Sequence, residues 1–311
     1  MRYRACHWDQ PLGLPGPCAC MSSPSAGSEI IKPAKNLASE FSLDRVHMLF
    51  LLRVVASVFI SFNMAKYENA PNQSILVKDS KVAFRWLGPK HGIPVIHLVS
   101  FRATMSQIDP VSVNKIAEKR PVILFDSVGV GRSEGKVPTS YAGWADCCAE
   151  LIIQLGFDQV DVLAFSMGGC AAQMLALNYP ALVRRLILIG SLPSIGPGVV
   201  LPPPAPFQGI RMANDRECQE AALLEFCFHS SETSQAAGRA TFRRMLEARD
   251  DWSDLIDTDG TRRQVQAFAK FMNPQYSSEG SFGRFNELRI PVLLIRGEYM
   301  DLDLQQAKFK A

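Results

Sequence analysis

A serine hydroxyl is a poor nucleophile at neutral pH. It needs a base to take its proton, an acid to orient that base, and hydrogen-bond donors for the oxyanion that forms. The residues of this chain that could do such chemistry centre on Ser166, in the run Val160-Asp161-Val162-Leu163-Ala164-Phe165-Ser166-Met167-Gly168-Gly169-Cys170-Ala171-Ala172. The run opens as an apolar strand and closes as a helix of small residues. Ser166 stands at the join, where the strand must turn sharply into the helix. Such a turn is a nucleophile elbow, whose strained backbone exposes the hydroxyl above the sheet. Gly168 lies two residues on, where a side chain would strike the strand as the chain reverses. Ala164, two residues before, occupies the first glycine position of the usual G-x-S-x-G pattern. The alternative is an ordinary serine in a tight turn. The strand-like residues before it and the helical pattern from Met167 to Tyr179 after it favour the elbow.

Three further stretches bear on the same chemistry. The backbone N–H of Met167 begins a helix, where unpaired N–H groups and the helix dipole favour negative charge. The turn Asp126-x-x-Gly129-x-Gly131-x-Ser133 follows an apolar strand. Read as a nucleotide loop, Gly129 to Gly135 lacks an essential part: Val137-Pro138 separates it from the next helix, so no helix N-terminus meets the phosphates. Carboxylates follow the apolar strand Ile290–Arg296 in Gly297-Glu298-Tyr299-Met300-Asp301, with Asp303 just beyond.

These stretches, with the loop Leu98-Val99-Ser100-Phe101-Arg102-Ala103-Thr104, resemble those of the α/β-hydrolase family, in the family's order, over Gln73 to Asp301. The loop resembles the family's H-G-[FY]-x-G-[ST] segment. It is closer to the N-H-F-R-G-T variant of hydrolases related to cofactor-free haloperoxidases; Val99, Ser100 and Ala103 depart from both. The resemblance implies an α/β fold, with a mostly parallel sheet, helices on both faces and a helical lid. It implies acyl hydrolysis of the esterase or lactonase kind on a small, apolar, ester-like substrate. Ser166 would be the nucleophile, Met167 and Phe101 the oxyanion donors, and Asp301 the orienting acid, with Glu298 and Asp303 as alternatives. No cofactor and no metal is implied. The family turn usually reads G-x-x-D, and here one more residue separates Gly297 from Asp301.

The family also places a histidine after the acid. The five histidines are His7, His47, His91, His97 and His229, and none follows Asp301. The expectation is therefore a chain truncated relative to the family, without its last strand and histidine loop. His97, in a buried strand, fits a packed core histidine better than a base. His229 falls in the lid and could face the serine. The missing base keeps a second reading open: a non-catalytic α/β-hydrolase-like binding protein, or a truncated remnant.

The elements that must position these residues alternate. Ser74–Lys78 and Lys81–Leu87 read as a hairpin about Asp79-Ser80. Pro94–Ser100, Pro121–Phe125, Val160–Phe165 and Val183–Gly190 read as buried strands. Helices are expected at Val111–Lys119, at Thr139–Phe157 with Thr139 as its cap, and at Met167–Tyr179. Such alternation predicts a parallel sheet with helices on both faces. It stops at 191–286, where a proline-rich opening precedes helical patterns at Asp215–Phe228, Thr233–Arg249 and Thr261–Met272, the expected lid. The core, first built from 64–190, resumes at 287–311.

Residues 1–63 read differently. They hold five prolines before residue 34 and little periodicity, and are expected to be disordered or foreign to the native domain, with Met64 a plausible initiator. Val46–Phe62 is an apolar run broken by Arg53. A central arginine costs about 3 kcal/mol on insertion scales and each large apolar residue returns about 0.3–0.6. A membrane anchor there is marginal. Cys18 and Cys20 have no nearby partner pair to complete a metal site. Composition bounds the rest. Of 311 residues, 47% are hydrophobic and 20% charged, which describes a globular chain with a sizeable core. A net charge of +3, with no basic patch, argues against a nucleic-acid partner. Eight cysteines without a C-x-x-C pair point to a reducing, cytoplasmic setting.

Overall fold

The structure, a computed structural model, describes residues 64–199, 201 and 204–296. The expectations for 1–63, including the apolar run 46–62 and Cys18 and Cys20, lie outside the described residues, as do Glu298, Asp301 and Asp303.

Among the described residues, seven strands form one sheet in the order β1-β2-β4-β3-β5-β6-β7. β1 (Gln73–Val77) and β2 (Ser80–Leu87) make the expected hairpin, and β2 runs antiparallel to β4 (Val122–Phe125). The remaining neighbours, β3 (Val95–Leu98), β5 (Val160–Phe165), β6 (Val183–Ile189) and β7 (Val292–Ile295), pair in parallel. The hairpin turn falls at Lys78 and Asp79, with Lys78 at φ 51°. Ser80, expected in the turn, is instead the first residue of β2.

Burial on both sides explains the apolar runs. All four residues of β4 are buried. Ile96 and Leu98 of β3 join the layer shared with helices α2 (Tyr141–Gln154) and α3 (Met167–Asn178). Val95 and Val99 face the opposite layer, with Val113 and Ala117 of helix α1 (Pro110–Ala117). Alternation along one strand thus feeds two cores. Local chemistry starts the helices. Asp109 accepts from Val111 N (3.1 Å) ahead of Pro110 at the first turn of α1, where a missing N–H costs nothing. The cap of α2 is Ser140, not Thr139: its Oγ accepts from Gly143 N at 3.1 Å.

Between β6 and β7 the chain is helical: α4 (Pro204–Met212), α5 (Arg216–Cys227), α6 (Glu232–Glu247) and α7 (Thr258–Phe271). The last three match the sequence patterns to within three residues at each end. α4 was hidden inside the proline-rich opening. Proline is compatible with a first helical turn, so Pro204 begins a helix rather than preventing one. Among the described residues no helix is long and apolar enough to cross a membrane.

The strand order also places the site. From β3 the chain crosses by α1 to β4 on one side, then returns by α2 past β3 to β5 on the other. Such a reversal opens a crevice at the carboxyl ends of the strands. There lie the loop after β3 and the turn after β5.

Candidate active site

Ser166 has φ 53° and ψ −121°, a region a non-glycine residue occupies at a cost of about 1–3 kcal/mol. Neighbouring strands hold it there. Ser166 N donates to Ile189 O at 2.8 Å, and Ser166 O accepts from Gly169 N at 2.9 Å and Ser191 Oγ at 2.8 Å. The close approach expected at Gly168 is present. A Cβ there would lie 2.5 Å from both Leu98 O and Val99 O, at the end of β3. Gly169 is constrained likewise, since a Cβ would overlap Ser191 Oγ at 1.8 Å. Ser191 was not found from sequence. It is a lone serine after a strand, and its role comes from a contact 25 residues away.

Met167 opens α3. Neither its backbone N–H nor that of Phe101 is engaged by an acceptor among the described residues. The next donor along, Arg102 N, is engaged by Gln264 Oε1 of α7 at 2.8 Å. The loop that carries Phe101 is braced behind by Asp126. One carboxylate oxygen of this buried residue accepts from Met105 N (2.7 Å) and the other from Arg132 N (2.9 Å). Burial pushes Asp126 above the usual carboxylate range, while those two backbone donors pull the other way. Ser133 Oγ donates to Asp126 O (2.6 Å) and accepts from Ala83 N (2.9 Å). Gly131 sits at φ 54°, and a Cβ there would strike Asp126 Oδ2 at 2.4 Å. The Asp126–Ser133 motif is a brace that joins two loops and a strand.

Ser166 lies in the wall of a cavity of about 340 Å³. Its lining is mostly apolar, with Phe101, Phe207, Ile210, Phe226, Phe242 and Met245 prominent. Of the phenylalanines on the helices of the insertion, Phe226, Phe228 and Phe242 line it, whereas Phe271 is buried against Tyr141 in the main core. The one carboxylate among the described lining residues, Asp109, is paired with Arg244 (2.5 Å). Cys227, an exposed free cysteine, also reaches the cavity.

His97 lines this same cavity. His97 is half-buried, burial lowers its pKa to about 4, and its buried Nδ1 has no hydrogen-bond partner. It is therefore neutral at pH 7. Its register partner on β5 is Leu163, three residues before Ser166. That places it about 10 Å back along the sheet, beyond direct proton transfer. His229 is exposed, its Nδ1 accepts from Ser231 N (3.2 Å), and it does not line the cavity. No histidine among the described residues contacts Ser166 Oγ. Nor does any group of three His, Cys, Asp or Glu side chains among them form a metal-sized cluster.

Residues 91–303 match the family model described as alpha/beta hydrolase fold. The chain is 28% identical over 185 residues to 2-hydroxy-6-oxononadienedioate/2-hydroxy-6-oxononatrienedioate hydrolase of Klebsiella pneumoniae, covering 57% of this chain and 59% of that protein. It is 37% identical over 79 residues to 2-hydroxymuconate semialdehyde hydrolase of a Pseudomonas species, covering 25% and 28%. The chain thus spans less than two thirds of these curated relatives. Among solved structures, an alpha/beta hydrolase fold protein from Chitinophaga pinensis superposes with a TM-score of 0.61 at 27% identity, covering 74% of this chain and 80% of that one.

Proposed function

This chain belongs to the alpha/beta hydrolase fold family, and from that premise we propose that it is built for acyl hydrolysis through Ser166, on a small ester or lactone with an apolar acyl group. One observation carries the reading. Ser166 is held at φ 53°, is followed directly by Met167 and shares a cavity wall with Phe101, and nothing in the described chain engages the backbone N–H of Met167 or of Phe101. Strain is kept at functional sites when the surrounding structure over-determines it, and unengaged donors beside a nucleophile are what a developing oxyanion requires.

In this mechanism Ser166 Oγ attacks the acyl carbon as its proton passes to a base that the described residues do not supply, and the same proton goes on to the departing alkoxide. The negative charge that moves onto the carbonyl oxygen is received by the N–H groups of Met167 and Phe101. The alcohol leaves, and water then releases the acid through a second oxyanion at the same donors. The helical insertion from α4 to α7 acts as the lid. Its Phe207, Ile210, Phe226 and Phe242 receive the acyl chain and exclude water. Asp301 is assigned as the acid that orients the base. His97 does not act as that base, because its register sets it too far back along β3. The relatives named above act on 2-hydroxy-oxo acids by name. The mostly apolar lining here favours a less polar substrate.

One observation favours a second reading, a binding protein without turnover: Ser166 Oγ contacts no histidine among the described residues. Covalent labelling by a fluorophosphonate separates the two, with Ser166→Ala as control. Labelling that disappears in the variant supports an activated serine. A folded chain that never labels, yet still binds an apolar ester, supports the second reading.

A further inference from the structure

The loop that carries Phe101 is tied to the helical insertion by its next residue. Arg102 sits at φ 63°, a left-handed conformation rare for a long side chain. Both of its backbone polar groups are used: N donates to Gln264 Oε1 of α7 (2.8 Å), and O accepts from Ile256 N (3.1 Å). The side chain is buried. Its Nη1 donates to Ile210 O (2.8 Å), Arg211 O (3.0 Å) and Ala213 O (2.8 Å), and its Nη2 donates to Ile256 O (3.2 Å). Three of those carbonyls close the C-terminal end of α4, where a cation is favoured by both the unpaired oxygens and the dipole. One residue earlier, the Phe101 ring stacks on Phe207 of α4, with centroids 4.7 Å apart. Two successive loop residues therefore grip one helix, and that helix also forms part of the cavity wall through Phe207 and Ile210.

We propose that Arg102 is a positioning residue that couples the seating of α4 over the cavity to the placement of the Phe101 N–H. The inference rests on the reading of Ser166 as nucleophile and Phe101 as oxyanion donor. It adds a use for the acyl chain. A chain that packs against Phe207 and Ile210 presses α4 into its seat, and Arg102 passes that seating to the donor. Binding energy remote from the scissile bond is then expressed in kcat rather than only in KM.

The test compares the full chain with Arg102→Met, Arg102→Lys and Gln264→Met. The first readout is amide hydrogen exchange, which needs no turnover. In Arg102→Met, residues 204–213 and residues 99–104 are expected to exchange at least about tenfold faster together, while β5 and α3 keep their protection. Arg102→Lys keeps the charge but fewer donors, and should fall between. Gln264→Met releases the loop from the α7 side and should speed 99–104. Faster exchange at 204–213 with 99–104 unchanged overturns the coupling, as does no change in either. The second readout is hydrolysis of p-nitrophenyl esters from acetate to octanoate. In the parent, kcat should rise with chain length. In Arg102→Met, kcat on the octanoate should drop about 10–100-fold, towards the cost of losing one oxyanion donor, and the dependence of kcat on chain length should vanish. Unchanged chain-length dependence refutes the proposal. A parent chain that neither labels nor hydrolyses refutes the functional reading instead, and the exchange data still decide the coupling.

Discussion

Replacing Gly168 by alanine inverts a familiar result. Gly168 is the second residue of α3 and has an ordinary helical φ. At an exposed helical site the change would stabilise by up to about 1 kcal/mol, through helix propensity and a less flexible unfolded chain. Here the new methyl would lie 2.5 Å from two carbonyl oxygens, Leu98 O and Val99 O. An ordinary C···O contact needs about 3.3 Å, so the helix start and the end of β3 must separate by roughly 0.8 Å. Both sides are backbone, and β3 is held by β4 on one side and β5 on the other, so neither can yield cheaply. Overpacking of this kind costs about 1–3 kcal/mol or more. Net of the propensity gain, Gly168→Ala should lose about 1–2 kcal/mol, a fall in midpoint of roughly 2–8 °C for a domain of this size. Gly283, with nothing within 4 Å of its Cβ position, is the control, and Gly283→Ala should be neutral within about 0.5 kcal/mol. Thermal and urea unfolding of the three proteins measures this. A Gly168→Ala protein as stable as the parent or more so would refute the close approach, and with it the seating of the helix start against the end of β3.

Three more outcomes follow from the same geometry. Ser166→Ala and Ser166→Gly both remove the hydroxyl, but only alanine keeps a Cβ at φ 53°. The glycine variant should therefore unfold later by about 1 kcal/mol, and an alanine variant that is the more stable would contradict the strain. His97 has a folded pKa of about 4 against about 6.5 unfolded. Its stabilising contribution is complete above pH 6.5 and is lost as pH falls towards 4. The parent should lose about 2 kcal/mol between pH 7 and pH 5 from this group, and His97→Leu should lose none of that share. Asp161 is buried on β5, which raises its pKa, but the hydrogen-bonded guanidiniums of Arg184 and Arg120 outweigh burial and hold it below the usual range. Its contribution is present above about pH 4 and lost on further acidification. Asp161→Asn should cost about 2 kcal/mol at pH 7, discounted because both arginines are partly in water, and the cost should shrink as pH falls below about 4.

Features written in short stretches of sequence could be read before the structure. The elbow needs only a strand, Ser166 and two small residues, and the Asp126–Ser133 turn needs only its own glycines. Both appear where the pattern puts them, and the sheet follows from runs such as Val122–Phe125. Features made by distant pairs could not. Arg102 and Gln264 are 162 residues apart, and nothing near either announces the other. Ser191 is an unremarkable serine until β6 lies beside β5. His97 looked like a core residue because its strand is buried, yet the loop after β3 and the helical insertion leave a cavity at its side. α4 escaped because proline reads as a breaker unless its place in the first turn is known.

The supports of Ser166 also arrive late in the order of synthesis. Ile189 and Ser191, which hold its backbone, are translated after it, and Gln264, which holds the opposite loop, comes some 73 residues later still. A nascent chain that has released only the elbow carries the serine in relaxed, ordinary backbone. The strained conformer becomes the stable one only when β6 docks, and the facing donor is fixed only when the insertion closes. Long-range pairing of this kind is slow to form. A ribosome-bound fragment ending before Ser191 should therefore leave this serine indifferent to electrophiles, and reactivity would emerge with the fold rather than with the residue.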